Sequence, residues 1–321
     1  MSELSIVFMG TPGFATEILR NLHKEGVNIK GVITSPDRKS GRGQKVNKSD
    51  VKIFAEENNL HIMQPTNLKD SGFISELRTL DADLFIVVAF RMLPEVVWGM
   101  PPKGTINLHA SLLPNFRGAA PINWAIINGE TETGVTSFFI EKEIDTGLII
   151  EREKLSIGEN ESAGELHDRL MHLGADVIYS TYKKIASGNI KAINQDDLIN
   201  EEMKSAPKIF KPDCRINFNQ SVSIVHDFCR GLSPYPASWC VIHNSEKNES
   251  KTYKLFTTEK TGINSSNTNE IKTTEEGILF PCTDKYLLVK EIQMEGKRKM
   301  HFKDFLTGNT LEDSVIIETE S

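Results

Sequence analysis

The sequence predicts an open, mostly parallel α/β sheet followed by a smaller β-barrel domain. The chain has 321 residues, about twice the usual domain size, which favours two domains. Its first two hundred residues alternate apolar runs of strand length with segments of helical period, whereas its last third carries short strand-like runs separated by polar turns.

Residues 4–9 form a buried strand, and 14–24 a helix with Phe14, Ile18, Leu19 and Leu22 on one stripe. A strand over 29–34, a helix over 51–58, an extended piece at 61–64 and a helix over 73–80 follow, then strands over 84–89, 105–108 and 135–140. Strands that are apolar at consecutive positions need cover on both faces, as in a parallel sheet wrapped by helices. A helix over 163–186 closes this part. The segment around Asn194-Gln195-Asp196-Asp197 is polar and aperiodic, and reads as a linker. Beyond it, runs at 239–242, 253–256, 278–280 and 286–289 have barrel spacing, with one helix near 222–230. The expected division is a catalytic domain over 1–189, a linker over 190–206 and a C-terminal barrel over 207–321.

Hydrophobic residues at 39% and charged residues at 25% are ordinary for a soluble protein, and no eighteen apolar residues run together. A membrane span, and with it a membrane partner, is not expected. Thirty-seven basic against 44 acidic residues give a net charge of −7, which argues against a protein that coats polyanions indiscriminately. Cys214, Cys229, Cys240 and Cys282 lack the two-to-four-residue spacing of a zinc or redox pair, so they read as packed thiols in a reducing cytoplasm. The apolar run at 4–9 follows Glu3 and is broken at Gly10-Thr11-Pro12-Gly13, too early for a signal peptide.

That Gly10–Gly13 turn lies where a dinucleotide fingerprint would lie. It lacks the G-x-G-x-x-G spacing, and Pro12 removes a backbone donor, so a tight turn packing a helix on the sheet is the stronger reading. The run Thr105-Ile106-Asn107-Leu108-His109 is denser in chemistry. Alternation along a strand points Ile106 and Leu108 one way and Asn107 and His109 the other. At the carboxyl end of a strand in an open sheet, ligand crevices form. An amide can donate to a developing oxyanion and an imidazole can donate or accept, a pairing suited to acyl chemistry without a side-chain nucleophile. Satisfying loop backbone is the competing use of the same two residues.

Asp145, in Ile144-Asp145-Thr146-Gly147, is the third member: a carboxylate beside His109 would orient it or share in proton transfer. Asp-Thr-Gly also marks aspartic proteases, which need a second such carboxylate; the chain has none. Residues 35–49 carry five basic side chains against one acidic one, Arg38, Arg42 and Lys45 among them. A βα connection of that length reads as a flexible functional loop, able to grip phosphates. A second basic cluster, Lys297-Arg298-Lys299, falls on the barrel, where it could follow an RNA backbone. No metal-ligand spacing is present, and none is assigned to His167 and His172.

Asn107-Leu108-His109, Ser111-Leu112-Leu113-Pro114, Phe116-Arg117-Gly118-Ala119-Ala120-Pro121 and Asp145-Thr146-Gly147 resemble the shared core of the 10-formyltetrahydrofolate-dependent formyltransferases. Pro36-Asp37-Arg38 with Gly41-Arg42-Gly43, and the stretch from Arg215-Ile216-Asn217-Phe218 to Pro234-Tyr235-Pro236, are similar to the methionyl-tRNA branch of that family. The resemblance implies a Rossmann-like catalytic sheet and an OB-like barrel, 10-formyltetrahydrofolate as formyl donor without a metal, and initiator methionyl-tRNA as acceptor, read at its acceptor stem. It implies Asn107, His109 and Asp145 as catalytic, Phe90, Ser111, Leu112, Leu113 and Pro114 at the folate, and Arg38, Arg42, Lys45, Lys297, Arg298 and Lys299 at tRNA, in a monomer. The chain departs from the family's Ala-Tyr-Gly pattern at Ala89-Phe90-Arg91-Met92-Leu93-Pro94, one residue shorter and without the glycine, and has Asn123 where glutamine is frequent. A formyltransferase for another amine, such as a nucleotide sugar or glycinamide ribonucleotide, and a non-catalytic RNA-binding protein on the same scaffold are the rival readings.

The net charge is unevenly placed. Residues 206–321 hold 15 basic and 16 acidic side chains, and four of those acids lie at or beyond Glu312. The barrel and the loop at 35–49 are thus local positive surfaces on an acidic chain, suited to a salt-sensitive grip on one RNA.

Overall fold

Ser5–Gly10 (β1) is buried at every position, the burial a strand covered on both faces requires. The computed structural model describes residues 3–40, 45–199, 203–244, 248–265, 270–311 and 314–316. With β1, strands Asn28–Ile33 (β2), Ile62–Met63 (β3), Leu84–Val88 (β4), Thr105–His109 (β5), Glu132–Phe139 (β6) and Ile149–Ser156 (β7) form one seven-stranded sheet in the order β7-β6-β5-β4-β1-β2-β3. The five from β3 to β5 are mutually parallel, and β6 runs antiparallel to β5. Winding reverses between β1 and β4, which places the ligand-binding crevice of such a sheet at the carboxyl ends of these central strands. One face is filled by Val7, Met9, Ile33, Phe85 and Val87 against Phe73, Leu77 and Val97.

Gly10 explains the tightness of the first turn. A Cβ there would lie 2.6 Å from the Ala15 Cβ and 2.9 Å from the Phe8 ring, so glycine lets the helix Gly13–Lys24 close on the sheet. Phe14, Ala15, Ile18, Leu19 and Leu22 of that helix are buried. The turn packs a helix and shows no dinucleotide fingerprint.

Two features depart from the expected pattern. β7 lies outside the strands the sequence predicts, because only its first two residues, Ile149 and Ile150, are buried and the rest are half-buried or exposed without alternation. The long loop is not featureless: Arg38–Ser40 and Lys45–Asn47 pair as an antiparallel ribbon. Its base is fixed, since Asp37 accepts from Lys52 Nζ at 2.6 Å and from Gln64 Nε2 at 2.8 Å. Those two bonds, Gln64's the larger influence, hold the Asp37 carboxyl below the usual carboxylate range.

The chain forms two compact units that do not follow a single cut. The first comprises Met1–Gly118, Thr133–Leu155 and His167–Ser205, and the second Ala119–Glu132, Ser156–Leu166 and Ala206–Ser321. In the second, strands Met300–His301, Glu291–Met294, Glu249–Leu255, Ser238–Asn244 and Ser314–Ile316 make one sheet, and Thr258–Asn264, Lys285–Val289, Ile278–Pro281 and Lys272–Thr273 another. The pairings run antiparallel, and Glu270, two residues before Lys272–Thr273, bridges Val315 on an edge strand of the first sheet. Val222, Val225 and Cys229 of the helix Val222–Gly231 enter their shared core beside Phe280, Leu287 and Ile292. All four cysteines are buried thiols outside any disulfide, and burial pushes the Cys229 thiol up to about 12. Asn123, the residue that stands for glutamine, donates to the Gly231 carbonyl within this unit at 2.7 Å. Among the described residues no helix is long and apolar enough to cross a membrane.

His226 on this helix is fully buried, with Nδ1 at 2.9 Å from the Thr258 hydroxyl and Nε2 at 3.3 Å from the Glu159 carbonyl. Burial lowers its pKa, Arg230 and Lys260 lower it further, and the Glu159 carbonyl and Asp227 offset part of this. The unfolded imidazole takes a proton near pH 6.5, while the folded one stays neutral to lower pH. Protons therefore favour the unfolded chain, and stability is lost as pH falls from about 6.5 through the folded pKa. Denaturant midpoints at pH 7.5 and 5.5 should show a smaller drop for His226→Gln than for the parent; equal drops would refute the linkage.

Candidate active site

β5 ends at His109, and its alternation is the one the sequence predicts: Ile106 and Leu108 are buried, while Asn107 is half-buried on the opposite side. The Asn107 backbone is held in register between Val87 and Phe138. Its side-chain amide makes no hydrogen bond to any described residue, so it is available to a ligand.

His109 is 6% exposed. Its Nε2 lies 2.8 Å from the Phe116 carbonyl oxygen; a carbonyl only accepts, so Nε2 carries the proton and the neutral ring leaves a lone pair on Nδ1. That Nδ1 faces Asp145 Oδ2 at 3.7 Å, too far for a hydrogen bond. The ring is therefore oriented by the Phe116 carbonyl, whereas the sequence suggests Asp145 for that task. Asp145 Oδ2 accepts from the Gly118 amide at 3.1 Å. The side chains of His109 and Asp145 are 7% and 12% exposed, a largely desolvated setting in which a charge counts for more.

Asp145 has φ +56°, a left-handed conformation that Asp tolerates better than most residues. A buried carboxamide holds its loop. Gln195 Nε2 donates to the carbonyls of Asp145 and Gly147 at 2.9 and 2.8 Å, and its Oε1 accepts from Arg117 Nε and Nη2 at 3.0 and 2.6 Å. Gln195 lies in the stretch that reads as linker, and neither periodicity nor spacing marks it.

The residues that the resemblance places at the folate differ in what they present. Ser111 is fully buried, with its hydroxyl on the Asn115 carbonyl at 2.7 Å and its own carbonyl accepting from Thr136 at 2.6 Å. Leu113 is also fully buried, against Phe138 and Ile149, and Pro114 is buried beside it. These three shape the loop after β5, while Leu112 and Phe90 are half-buried and keep accessible surface. In the shortened segment after Phe90, Arg91 reaches back to the carbonyls of Pro65 and Thr66, and its guanidinium lies 5.6 Å from the Phe90 ring centroid. Burial lowers the Arg91 pKa, and the nearby positive charge of Arg38 adds to this.

Of the basic residues, Arg38 is exposed at the foot of the ribbon. Lys45 begins the second arm, and Arg42 lies outside the described residues. Lys297, Arg298 and Lys299 are exposed on the turn after Glu291–Met294, with Lys299 paired to Glu291 at 3.1 Å. Among the described residues no three His, Cys, Asp or Glu side chains are grouped to hold a metal ion.

An amide without a partner among the described residues, an oriented imidazole and a carboxylate lie at the carboxyl end of the doubly wound sheet, with no side-chain nucleophile among the three. Family models described as formyl transferase and formyl transferase C-terminal domain match residues 4–181 and 208–310, and the chain belongs to the formyl transferase family. Within it, the chain is 46% identical over 314 residues to a methionyl-tRNA formyltransferase of Flavobacterium johnsoniae, covering 98% of both chains. It is 48% identical over 309 residues to that of Bacteroides fragilis, covering 95% of both. A sugar 3N-formyl transferase solved with dTDP and 5-N-formyl-tetrahydrofolate shares the fold at TM-score 0.64 and 20% identity, over 93% of this chain and all of that one. HypX from Aquifex aeolicus, solved with tetrahydrofolic acid, does so at TM-score 0.65 and 15% identity, over 95% of this chain and 47% of that one.

Proposed function

We propose that this protein transfers the formyl group of 10-formyltetrahydrofolate to the α-amine of initiator methionyl-tRNA. The reading rests on one observation above others: His109 and Asp145 face each other at the end of β5, with Asn107 two residues earlier on that strand, an arrangement suited to formyl transfer by direct attack. The names of the full-length relatives support the acceptor. The enzyme acts in the cytoplasm as a monomer, with a catalytic domain over 1–189, a linker over 190–206 whose stretch from Ile193 to Leu198 packs on that domain, and a tRNA-binding barrel over 207–321.

The Asn107 amide donates to the oxygen that gains charge as the amine adds to the formyl carbon. His109 Nδ1 and Asp145 Oδ2, 3.7 Å apart, are two acceptors facing one gap, into which an attacking amine can direct its N–H groups. Once His109 holds a proton on Nδ1, the ring becomes a second donor to the oxyanion, and Asp145 stabilises its charge. Collapse breaks the bond between the formyl carbon and the folate nitrogen, which takes the proton from His109 Nδ1 as tetrahydrofolate leaves, and no covalent bond to the protein forms. Phe90 and Leu112 offer accessible surface for the folate, with Ser111, Leu113 and Pro114 holding the loop behind it.

Formylation of initiator methionyl-tRNA with 10-formyltetrahydrofolate, run beside an amino-sugar nucleotide and glycinamide ribonucleotide as competing acceptors, tests the reading. Transfer to either competitor but not to tRNA would overturn it. The basic ribbon and the turn at Lys297, Arg298 and Lys299 are the tRNA contacts in this reading. Arg38→Ala and Arg42→Ala should each raise KM for methionyl-tRNA several-fold and flatten its salt dependence while leaving folate affinity unchanged. Lys45 belongs to the same surface. An equal loss of folate affinity would make the ribbon a clamp on the donor.

A further inference from the structure

We propose that Gln195 is a positioning residue for Asp145. The inference rests on the formyl-transfer reading and adds to it a part of the machinery that lies outside the three catalytic side chains. Gln195 is 1% exposed, and a buried carboxamide is costly unless its hydrogen bonds are made. Here both ends are used twice. The nitrogen donates to Asp145 O and Gly147 O, and the oxygen accepts from both Nε and Nη2 of Arg117.

The consequence is a closed connection around the site. Arg117 and Gly118 are adjacent, and the Gly118 amide donates to Asp145 Oδ2 at 3.1 Å. Gln195 thus grips the Asp145 backbone on one side and, through Arg117, the short strand Arg117–Gly118 that grips the Asp145 carboxylate on the other. The left-handed φ of +56° at Asp145 is a conformation that surrounding structure must enforce, and these bonds enforce it. The segment that carries Gln195 is itself anchored. Ile193 exchanges backbone hydrogen bonds with Ile149 at 2.8 and 2.9 Å, Asn194 caps the short 3-10 turn Gln195–Leu198, and Leu198 packs on Leu113, Phe138 and Ile149. Although it reads as a linker, this stretch is the back wall of the catalytic loop.

Substrate never needs to touch Gln195, so its effect must pass through Asp145. Gln195→Met keeps length and volume and removes all four hydrogen bonds; Gln195→Glu keeps the acceptor for Arg117 but replaces the donor to the two carbonyls. Displacement of a catalytic group by about 1 Å costs up to about a hundredfold. Both variants should lower kcat for formylation by about ten- to a hundredfold, with KM for methionyl-tRNA unchanged. In an Asp145→Asn background, the same substitutions should lower kcat by less than about twofold, because the group they position is already disabled. A full, multiplicative loss in that background, or wild-type kcat for a folded Gln195→Met, would overturn the proposal. If Gln195→Met does not fold, Gln195→Glu carries the same test. A parent enzyme inactive on methionyl-tRNA would instead refute the formyl-transfer reading.

Discussion

Asn107→Ala should lower kcat for formylation by about a hundredfold to a thousandfold, the usual cost of deleting one oxyanion donor. The side-chain amide has no partner among the described residues, so its removal leaves no buried group unsatisfied. Backbone pairing to Val87 and Phe138 does not depend on the side chain, and Ile106 and Leu108 still bury the other face of the strand. The variant should therefore melt like the parent and bind methionyl-tRNA with an unchanged Kd. A donor that acts only as charge develops is worth little in the ground state, so KM should hold while kcat falls. Steady-state kinetics at saturating folate decide the point. Wild-type turnover would remove Asn107 from the chemistry, and a matched rise in KM would make it a binding residue.

The parts of the molecule that were legible in the sequence share a physical cause. β1 and β4 are covered on both faces, so they appear as largely apolar runs, and the two-residue period of β5 is enough to separate Asn107 and His109 from Ile106 and Leu108. β7 and Thr258–Asn264 bury only two residues and one residue fully, and strands with little to bury leave a weak pattern. The ribbon at Arg38–Ser40 and Lys45–Asn47 is short and polar, and what fixes its base, Asp37 with Lys52 and Gln64, depends on side chains 15 and 27 residues apart. Gln195 is the extreme case. Its partners are backbone carbonyls 48 and 50 residues upstream, and backbone carbonyls carry no signature in a sequence. The ring of His109 is likewise held by a carbonyl, at Phe116, so the chemistry of the three side chains was readable while the means of orienting them was not.

Asp145→Asn should cost about a hundredfold or more in kcat, the scale of losing a positioned general base, with the fold intact. Asparagine shares the tolerance of aspartate for left-handed backbone, so φ +56° poses no new strain. Its amide oxygen can still accept from the Gly118 amide, and the Gln195 bonds run to the backbone, which the substitution does not alter. What changes is the charge and basicity, since the oxygen that keeps the Gly118 bond is also the one facing His109 Nδ1. The attacking amine loses a site for its proton, and an imidazolium formed during the reaction loses its counter-charge in a setting only 7% to 12% exposed, where water cannot replace it. Single-turnover formylation with bound methionyl-tRNA isolates the chemical step. A rate within about threefold of the parent would assign Asp145 to holding the loop alone, while a large loss accompanied by a lowered Tm would point to collapse of the Arg117–Gln195 connection.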